Sequence, residues 1–401
     1  MVFDILAWLI LGFTALRLGV ALVNFFSPLY LPPLRVPETD LSPSRAPSPS
    51  PSSSTSPYPS TIDSGHGFPS EEQPFLSVLI PARDEADNLP GLIPALADQT
   101  YMNYEVIIYD DHSGDATPQI LEDLSRKHHR VKWLMGEGLP EGWTGKNHAC
   151  HRLAEEAGGD LLLFLDADVS VSPDLLEKAV AYFTHHKLSL LSIFPHQIIH
   201  TRGEWLTVPL MNWILLSLLP LILVRLSRRP SFSAANGQFM MFDAAIYRKN
   251  QWHRQVKDNL VEDIEINRIM KRKGYPTATL LGNYDIMCRM YSSFREGLHG
   301  FAKNVTEFFG GSIFMNLLFT VLVITGVAII PLGPGWPGLI AYILMVLVLR
   351  MLISGKSRQS VQKNFLYHIP QMIAFILIVY KGIKVRRKGR YLWKGRITGK
   401  E

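Results

Sequence analysis

The stretch "LLLFLDADVS", Leu161–Ser170, joins an apolar run to two aspartates, Asp166 and Asp168, that are separated by one alanine. A short, continuous apolar run is typical of a strand buried on both faces, as in a parallel sheet. We therefore expect a strand over Asp160–Asp168. Because side chains two residues apart in a strand point the same way, both carboxylates are expected to face one ligand.

Two like charges this close need a cation or hydrogen-bond donors between them. A hard divalent cation, Mg²⁺ or Mn²⁺, completed by water and phosphate oxygens, meets that need. Helix capping is the structural alternative, but the next residues, "SPDLL" (Ser172–Leu176), already supply a cap serine and a proline for the start of a helix. The pattern favours a metal and phosphate site at Asp166 and Asp168.

Apolar runs alternate with helical patterns along the region around this stretch. Strands are expected over Phe75–Ala82, Tyr104–Asp111, Val131–Gly136 and Asp160–Asp168, and helices over Asp87–Asp98, Thr117–His128 and Lys146–Ala157. Such alternation predicts an α/β fold with a mostly parallel sheet, in which ligands bind at the carboxyl ends of strands. Acidic residues stand at those ends, namely Asp84, Glu85, Asp110, Asp111, Asp166 and Asp168.

Two of these segments are ambiguous when taken alone. Asp110 and Asp111, in "YDDHSGDAT", accept hydrogen bonds from a base or a ribose, or belong to an ordinary strand-to-helix turn. Lys146, in "GWTGKNHA", balances a diphosphate or is a solvated lysine. The chain contains neither a P-loop nor a GxGxxG motif, which argues against ATP hydrolysis and dinucleotide binding.

A third segment, "VEDIEINRIMKRKGY" (Val261–Tyr275), predicts a helix that is closed by Gly274. Glu262 and Asp263 fall in its first turn. Acids in a first turn are favourable to the helix dipole, which is the structural interpretation. The functional interpretation is a general base that takes a proton from an acceptor hydroxyl.

The composition indicates a membrane protein, with 47% hydrophobic residues and a mean hydropathy of +0.10. Ile5–Phe26 is long enough for a retained anchor. Ile313–Ile330 and Leu339–Ile353 are further candidate spans, whereas His368, Pro370 and Gln371 weaken Phe365–Tyr380. Trp205–Val224 carries two prolines and is expected to lie in the membrane interface.

The charge is divided unevenly along the chain. From Ser312 onward there are 13 Lys/Arg and one acidic residue, whereas the earlier part has 27 Lys/Arg and 34 Asp/Glu. The basic tail is expected to be cytoplasmic and close to anionic lipid rather than bound to nucleic acid. Since the loop Ser354–Lys363 is also basic, Phe365–Tyr380 is expected to be re-entrant or interfacial rather than a simple span. The two cysteines, Cys150 and Cys288, fit a reduced, cytosolic active domain.

The expected domain organisation follows from these features. Residues 42–60 include nine serines and six prolines and mark a disordered spacer. The expected parts are an anchor (1–27), a Pro/Ser-rich linker (28–74), a catalytic domain (75–308) with an apolar interfacial segment (205–225), C-terminal membrane segments (309–383) and a basic cytoplasmic tail (384–401).

Five motifs in a fixed order, "SVLIPARDE", "VIIYDDHSGDAT", "GKNHA", "FLDADV" and "VEDIEINR", resemble the family 2 glycosyltransferases of the GT-A fold over Phe75–Asn304. The resemblance implies a uridine pocket lined by Pro81, Arg83, Glu85, Asp110 and Asp111. It implies that Lys146 lies near the nucleotide, that Asp166 contacts the ribose and that Asp168 binds the metal. Asp263 corresponds to the catalytic base, with Glu262 beside it.

Two further stretches, "NGQFMMF" (Asn236–Phe242) and "RMYSSFREGLHGFAKN" (Arg289–Asn304), are similar to the membrane-bound branch that glycosylates carotenoids, hopanoid-type lipids and ceramides, and so is the late "YLWKGR". Asn236, Gln238, Arg289 and Arg295 are therefore expected to contact the acceptor. The Gln-x-x-Arg-Trp motif of the family's polymer-making synthases is missing from the sequence, which favours the transfer of a single sugar.

The resemblance thus implies an inverting, metal-dependent hexosyltransferase that uses a nucleotide sugar, UDP-glucose, and a hydroxyl or carboxyl of a membrane lipid. The expected location is the cytoplasmic membrane, with several spans and an active domain that faces the cytosol. The alternatives are a polyprenyl-phosphate sugar transferase, a processive polysaccharide synthase, and a non-enzymatic lipid-binding protein or transporter with a degenerate transferase domain.

Overall fold

The computed structural model of the protein describes residues 1–34, 73–388, 391–393 and 396–398. Most of the expected linker (28–74) and much of the expected basic tail (384–401) therefore lie outside the described residues. Within the described ranges, an α/β region follows an N-terminal helix and precedes further apolar helices.

The described residues form twelve strands, of which the first four each lie within one of the four strands that the sequence predicts. They are β1 (Leu76–Ala82), β2 (Tyr104–Asp110), β3 (Val131–Met135), β4 (Leu161–Leu165), β5 (Val169–Val171), β6 (Leu190–Phe194), β7 (His196–Gln197), β8 (Phe239–Asp243), β9 (Thr277–Leu281), β10 (Ile286–Cys288), β11 (Tyr391–Trp393) and β12 (Arg396–Thr398).

Helices connect most of these strands. They are α1 (Val2–Phe26), α2 (Leu89–Ala97), α3 (Thr117–Lys127), α4 (Gly145–Glu156), α5 (Leu175–His185), α6 (Arg202–Thr207), α7 (Pro209–Leu218), α8 (Ile222–Leu226), α9 (Ala244–Asn250), α10 (Trp252–Gln255), α11 (Glu262–Arg272), α12 (Phe294–Asn304), α13 (Ile313–Ile324), α14 (Gly326–Ile329), α15 (Gly335–Lys356), α16 (Val361–Leu366) and α17 (His368–Lys388). Short 3₁₀ turns occupy Pro230–Phe232, Glu307–Phe309 and Ile330–Leu332.

A seven-stranded sheet in the order β3-β2-β1-β4-β8-β6-β9 forms the centre of the catalytic region. Its strands run parallel except β8, which is antiparallel to both neighbours, β4 and β6. Because β8 runs in the opposite direction, its first residue lies at the same edge as the carboxyl ends of β1, β2 and β4. The expected mostly parallel α/β sheet is confirmed.

The predicted strand over Asp160–Asp168 is shorter than expected. All five residues of β4 are buried, as the apolar run requires, but the strand ends at Leu165. Asp166 and Asp168 lie in the turn that follows, so their side chains do not alternate as they would in a strand. The next helix begins later than predicted as well, since Asp174 rather than Ser172 is its N-cap residue.

A small three-stranded sheet, β5-β10-β7, covers the end of β4. β5 pairs antiparallel with β10, and this pairing places Cys288 opposite Val169. Cys288 therefore lies next to Asp168, although the two residues are 120 positions apart in the sequence.

Three described helices are long and apolar enough to cross a membrane: Val2–Phe26, Gly335–Lys356 and His368–Arg386. The candidate span Ile313–Ile330 is not one continuous helix, because α13 ends at Ile324 and Gly326 packs against the ring of Tyr342. Ile313–Ile324 is long and apolar enough for a membrane segment only when it is taken together with Phe294–Phe309, and the two helices are bent by 101° relative to each other. Such a bent pair is either a broken span or a re-entrant loop.

Pro370 does not interrupt α17, which runs from His368 to Lys388. This proline lies in the first turn of α17, where a helix tolerates proline. Near the start of α17, Gln371 donates to the carbonyl of Trp205 at 2.8 Å, and near its end Arg386 donates to Glu307 at 2.9 Å. Both ends of α17 are thus bound to segments of the catalytic region.

The apolar segment 205–225 lies inside the protein, and every residue of α7 from Pro209 to Ser217 is buried. Trp213 of α7 carries two buried guanidinium groups within 5 Å of its ring, that of Arg17 at 4.6 Å and that of Arg350 at 4.8 Å. Arg17 also donates to the hydroxyl of Ser217 at 3.0 Å, and Arg350 donates to His368 at 3.0 Å. A desolvated cation–π contact is worth about 2 kcal/mol, so Trp213 fastens α7 to α1 and α15.

Two adjacent glycines before β4 give a matched test of the close approach between the backbone there and strand β1. A Cβ atom at Gly159 would meet backbone atoms of Ser77 and Leu161 at 2.7 Å, whereas one at Gly158 would meet only side-chain atoms at 3.5 Å or more. We expect Gly159→Ala to lower the free energy of unfolding by about 1–3 kcal/mol, and Gly158→Ala to change it little. Thermal unfolding of the detergent-solubilised protein measures both, and equal melting temperatures for the two variants would contradict the close approach.

Candidate active site

The candidate site lies at the edge of the sheet where β2, β1 and β4 end and β8 begins. In the sheet register, Ala82 at the end of β1 lies beside Asp110 at the end of β2. On the other side of β1, the turn after β4 meets the residue before β8, because the N–H of Asp166 donates to the carbonyl of Gln238 at 3.2 Å. The acidic residues that the sequence places at strand ends therefore share one edge.

Lys146, at the start of α4, lies at the part of this edge where the turn after β4 meets the residues before β8. Its ammonium is 2.8 Å from a carboxylate oxygen of Asp166 and 3.5 Å from one of Glu262. It also donates to the carbonyl of Gly237 at 3.4 Å. Burial alone would lower the pKa of Lys146, but the charges of Asp166 and Glu262 raise that pKa well above its usual value. Lys146 is therefore a permanent cation in this pocket.

Asp263 follows Glu262 in the first turn of α11, and backbone donors hold its carboxylate. The N–H of Gly237 donates to one oxygen at 2.9 Å, and the N–H of Ile264 donates to the other at 2.7 Å. Burial, followed by the nearby charge of Glu262, raises the pKa of Asp263 to about 7, although the two backbone donors and Lys146 act in the opposite direction. A carboxyl with such a pKa can take up a proton near neutral pH.

Gly237 is the point at which these groups meet. A Cβ atom there would lie 2.9 Å from the ammonium of Lys146 and 3.1 Å from a carboxylate oxygen of Glu262. The missing side chain lets Lys146, Glu262 and Asp263 approach the same stretch of backbone. Sequence analysis did not single out this glycine, although it stands inside the motif "NGQFMMF".

Asp168 has different partners from Asp166, although both were expected to face one ligand. The side-chain amide of Gln238 donates to one oxygen of Asp168 at 3.1 Å, and the thiol of Cys288 lies 3.6 Å from the other. Burial, followed by the charge of Asp168, raises the pKa of Cys288, so the thiol stays protonated. Gln238, which was expected to contact the acceptor, is thus a partner of Asp168. The sequence contains no local signal that would place Cys288 at this site.

A divalent cation beside Asp168 would draw on few protein ligands. The described residues contain no group of three or more His, Cys, Asp or Glu side chains placed to hold a metal. The side-chain oxygen of Gln238, however, is buried and has no hydrogen-bond partner in the structure. An amide oxygen and a carboxylate are both ligands that Mg²⁺ accepts, with waters and phosphate oxygens completing the shell.

The residues of the expected uridine pocket lie at the part of the edge where β1 and β2 end. Arg83 donates to the carbonyl oxygens of Asp111 at 2.5 Å and His112 at 3.1 Å. Asp110 accepts from the N–H of Ser113 at 3.3 Å, and Glu85 accepts from Asn88 at 2.6 Å. The residues of this group that lie at the ends of β1 and β2 or just beyond them are Pro81, Arg83, Glu85, Asp110 and Asp111.

Of the four residues expected to contact the acceptor, Asn236 and Gln238 lie in this site. The side chain of Asn236 accepts from the N–H of Gln238 at 2.8 Å and so shapes the turn before β8. Arg289 instead donates to the fully buried carboxylate of Glu204 at 2.7 Å. Arg295 is exposed on α12, and its positive charge repels that of Lys381 on α17.

Comparison with known proteins agrees with this arrangement. Residues 77–250 match the sequence model of the family described as "Glycosyl transferase family 2". A 4,4'-diaponeurosporenoate glycosyltransferase of Staphylococcus haemolyticus is 27% identical over 237 residues, which are 57% of this chain and 60% of that protein. A beta-monoglucosyldiacylglycerol synthase of Trichormus variabilis is 32% identical over 122 residues, 30% of this chain and 26% of that protein.

The chain thus spans less than two thirds of the length of these relatives. Among solved structures, a mannosyltransferase of Pyrobaculum calidifontis in complex with GDP-Man and Mn²⁺ superimposes with a TM-score of 0.53 at 14% identity, covering 94% of this chain and 99% of that one. At such low identity this likeness bears on the fold alone, which is GT-A. Residues 77–250, which carry most of the strands of the seven-stranded sheet and the edge that they present, are therefore similar to a family 2 glycosyltransferase domain.

Proposed function

We propose that the protein transfers a single hexose, with inversion, from UDP-glucose to a hydroxyl of a membrane lipid. One observation carries this proposal: a partly buried carboxyl, Asp263, has its pKa raised to about 7 and lies one residue from Glu262, which pairs with the Lys146 cation. A base poised near neutral pH beside a fixed positive charge suits the transfer of a proton from an alcohol during attack on a phosphorylated sugar.

In this mechanism Asp263 accepts the proton of the acceptor hydroxyl while the hydroxyl oxygen bonds to the anomeric carbon of the sugar. The bond from that carbon to the diphosphate oxygen breaks, and UDP leaves with the bonding electrons. Attack from the face opposite the diphosphate inverts the anomeric configuration. We propose that Lys146 balances the charge of the diphosphate and that Asp166 hydrogen-bonds the ribose.

A divalent cation, Mg²⁺ or Mn²⁺, held by Asp168 and by the buried oxygen of Gln238 would supply Lewis-acid stabilisation of the departing diphosphate. We assign the uridine to the corner formed by Pro81, Arg83, Glu85, Asp110 and Asp111, where carboxylates and backbone carbonyls can accept hydrogen bonds from a base. These assignments are consistent with the fixed order of the sequence motifs and with the sheet edge that the residues share.

A lipid acceptor is supported by the two relatives, a 4,4'-diaponeurosporenoate glycosyltransferase and a beta-monoglucosyldiacylglycerol synthase, whose names refer to a carotenoid acid and to a diacylglycerol lipid. It is also supported by three apolar helices that could cross a membrane. Lys356 at the end of α15 donates to the carbonyl of Ser27 after α1 at 2.6 Å, so these helices end on the same side, next to the catalytic region. We propose that this side is cytosolic, as the basic loop and tail suggest.

The Asp263→Asn variant tests the base. Asparagine keeps the shape of the side chain but cannot accept a proton from an alcohol, so we expect the transfer rate to fall roughly 10²–10⁴-fold. The affinity for UDP, measured by isothermal titration calorimetry, should stay within a few-fold of wild type. Asp258→Asn, on the exposed segment before α11, is the matched control. Near-normal turnover of Asp263→Asn would instead indicate an acceptor that needs no base, such as a lipid phosphate.

The raised pKa of Asp263 predicts a dependence of the rate on pH. The carboxyl must be ionised to act as a base, so log(kcat/KM) should rise with a slope near one below about pH 7 and level off above it. Initial rates in overlapping buffers measure this profile. A profile that is flat from about pH 5 to about pH 8 would contradict the assignment.

The same pKa has an opposite consequence for stability. The folded protein holds the Asp263 proton more tightly than the unfolded chain, whose pKa is near the ordinary 3.8. Folding is therefore weakened as the pH rises from about 4 to about 7. Asp263→Asn does not ionise, so we expect it to melt at a higher temperature than wild type at about pH 8 and at a similar temperature at about pH 4.

Metal removal tests Asp168. Chelation with EDTA should abolish transfer, and added Mn²⁺ or Mg²⁺ should restore it. The Asp168→Asn variant should need at least roughly tenfold more Mn²⁺ for half-saturation in the presence of UDP, followed by the electron paramagnetic resonance of free Mn²⁺. Asp123→Asn, on the exposed face of α3, is the control. An unchanged Mn²⁺ affinity in Asp168→Asn would remove this residue from the metal site.

A further inference from the structure

An apolar cavity of about 630 Å³ lies between α7 and α11. Its walls include Ile214, Leu215 and Leu218 of α7, Ile264 and Arg268 of α11, and Phe308 before α13. This volume is within the range of about 300–1,000 Å³ that is typical of ligand-binding cavities. Most of the lining side chains are hydrocarbon, so the cavity can take an apolar group out of water.

The cavity shares two backbone segments with Asp263. Ile264 lines the cavity, and its N–H donates to the Asp263 carboxylate at 2.7 Å. Ala235 lines the cavity two residues before Gly237, whose N–H donates to the other oxygen of that carboxylate at 2.9 Å. The cavity therefore adjoins the two backbone segments that hold the Asp263 carboxylate.

Both charged side chains of the cavity wall are already paired with side chains outside it. The guanidinium of Arg268 donates to Glu265 at 2.5 Å, and the carboxylate of Glu307 accepts from Arg386 at 2.9 Å. A phosphate group brought into the cavity would compete with Glu265 for the guanidinium of Arg268 and would meet the like charge of the Glu307 carboxylate, and both effects are unfavourable. The wall thus favours an uncharged occupant.

The opposite side of α7 faces the apolar helices. Trp213 contacts Phe319 of α13 with ring centroids 5.7 Å apart and Phe375 of α17 at 5.8 Å. The turn that carries Phe308 leads directly into α13. The cavity therefore lies between the catalytic helix α11 and the part of the protein that is suited to contact lipid tails.

We propose that this cavity binds the uncharged hydrocarbon of the acceptor and that the acceptor is a lipid alcohol rather than a lipid phosphate. The inference rests on the proposed function, since Asp263 is taken as the base. The hydroxyl lies at Asp263, and the chain runs between α7 and the Phe308 turn towards α13. A lipid alcohol needs a base, and it leaves the Arg268–Glu265 and Glu307–Arg386 pairs intact.

The test uses the purified full chain in lipid nanodiscs with two photoreactive probes, a diazirine-bearing dodecanol and the corresponding dodecyl phosphate. After irradiation, labelled peptides are identified by mass spectrometry. We expect the alcohol to label residues 214–219 and 264–268 at least fivefold more than the phosphate does. Leu218→Trp, which fills the cavity, should reduce this labelling at least fivefold, whereas Leu226→Trp should not, because Leu226 is 65% exposed at the end of α8.

Equal labelling of the cavity by both probes would overturn the preference for an uncharged lipid. Labelling that is confined to other segments, or that is unchanged in Leu218→Trp, would overturn the cavity as the acceptor site. UDP affinity is measured in parallel and should be the same in wild type and both variants. If wild type labels in the cavity but binds no UDP and transfers no sugar, the proposed function fails while the assignment of the cavity to an apolar alcohol stands.

Discussion

The ammonium of Lys146 joins three parts of the chain on which the rest of the site depends. It pairs with Asp166 after β4 and with Glu262 at the start of α11, and it donates to the carbonyl of Gly237 before β8. Asp166 and Glu262 thereby share one cation, whereas the hydrogen bonds described for the Asp263 carboxylate come from the backbone N–H groups of Gly237 and Ile264. A pKa raised from 3.8 to about 7 makes ionisation of Asp263 less favourable by about 4 kcal/mol.

That division explains how clustered acids can serve different purposes. Asp166 and Glu262 pair with the ammonium of Lys146, and the charges of these two carboxylates raise the pKa of Lys146 well above its usual value. Asp168 meets an amide and a thiol and keeps its capacity to bind a cation. Burial and the charge of Glu262 raise the pKa of Asp263 to about 7, so this carboxyl exchanges its proton near neutral pH. The environment of each carboxylate, rather than its residue type, thus decides its role.

The sequence predicted the first four strands and the acids at their ends because those signals are local. An apolar run followed by a cluster of Asp, Ser and Gly indicates where a buried strand stops. The partners of Asp168 could not be found in this way. Gln238 reaches it because β8 runs antiparallel to β4, and Cys288 reaches it through the pairing of β5 with β10. Neither pairing leaves a local pattern. Apolarity likewise did not distinguish α7, which is buried in protein, from a segment that contacts lipid.

The contacts of Trp213 with Arg17 and Arg350 bear on how far the molecule can be divided. An N-terminal helix followed by a long spacer resembles a simple tether that could be removed to release a soluble catalytic fragment. Here the guanidinium of Arg17 on that helix is one of the groups that fix α7, and α7 forms a wall beside the catalytic helix. The helices α1 and α15 are therefore packed through α7 against the α/β region, so removal of α1 would expose a wall of that region.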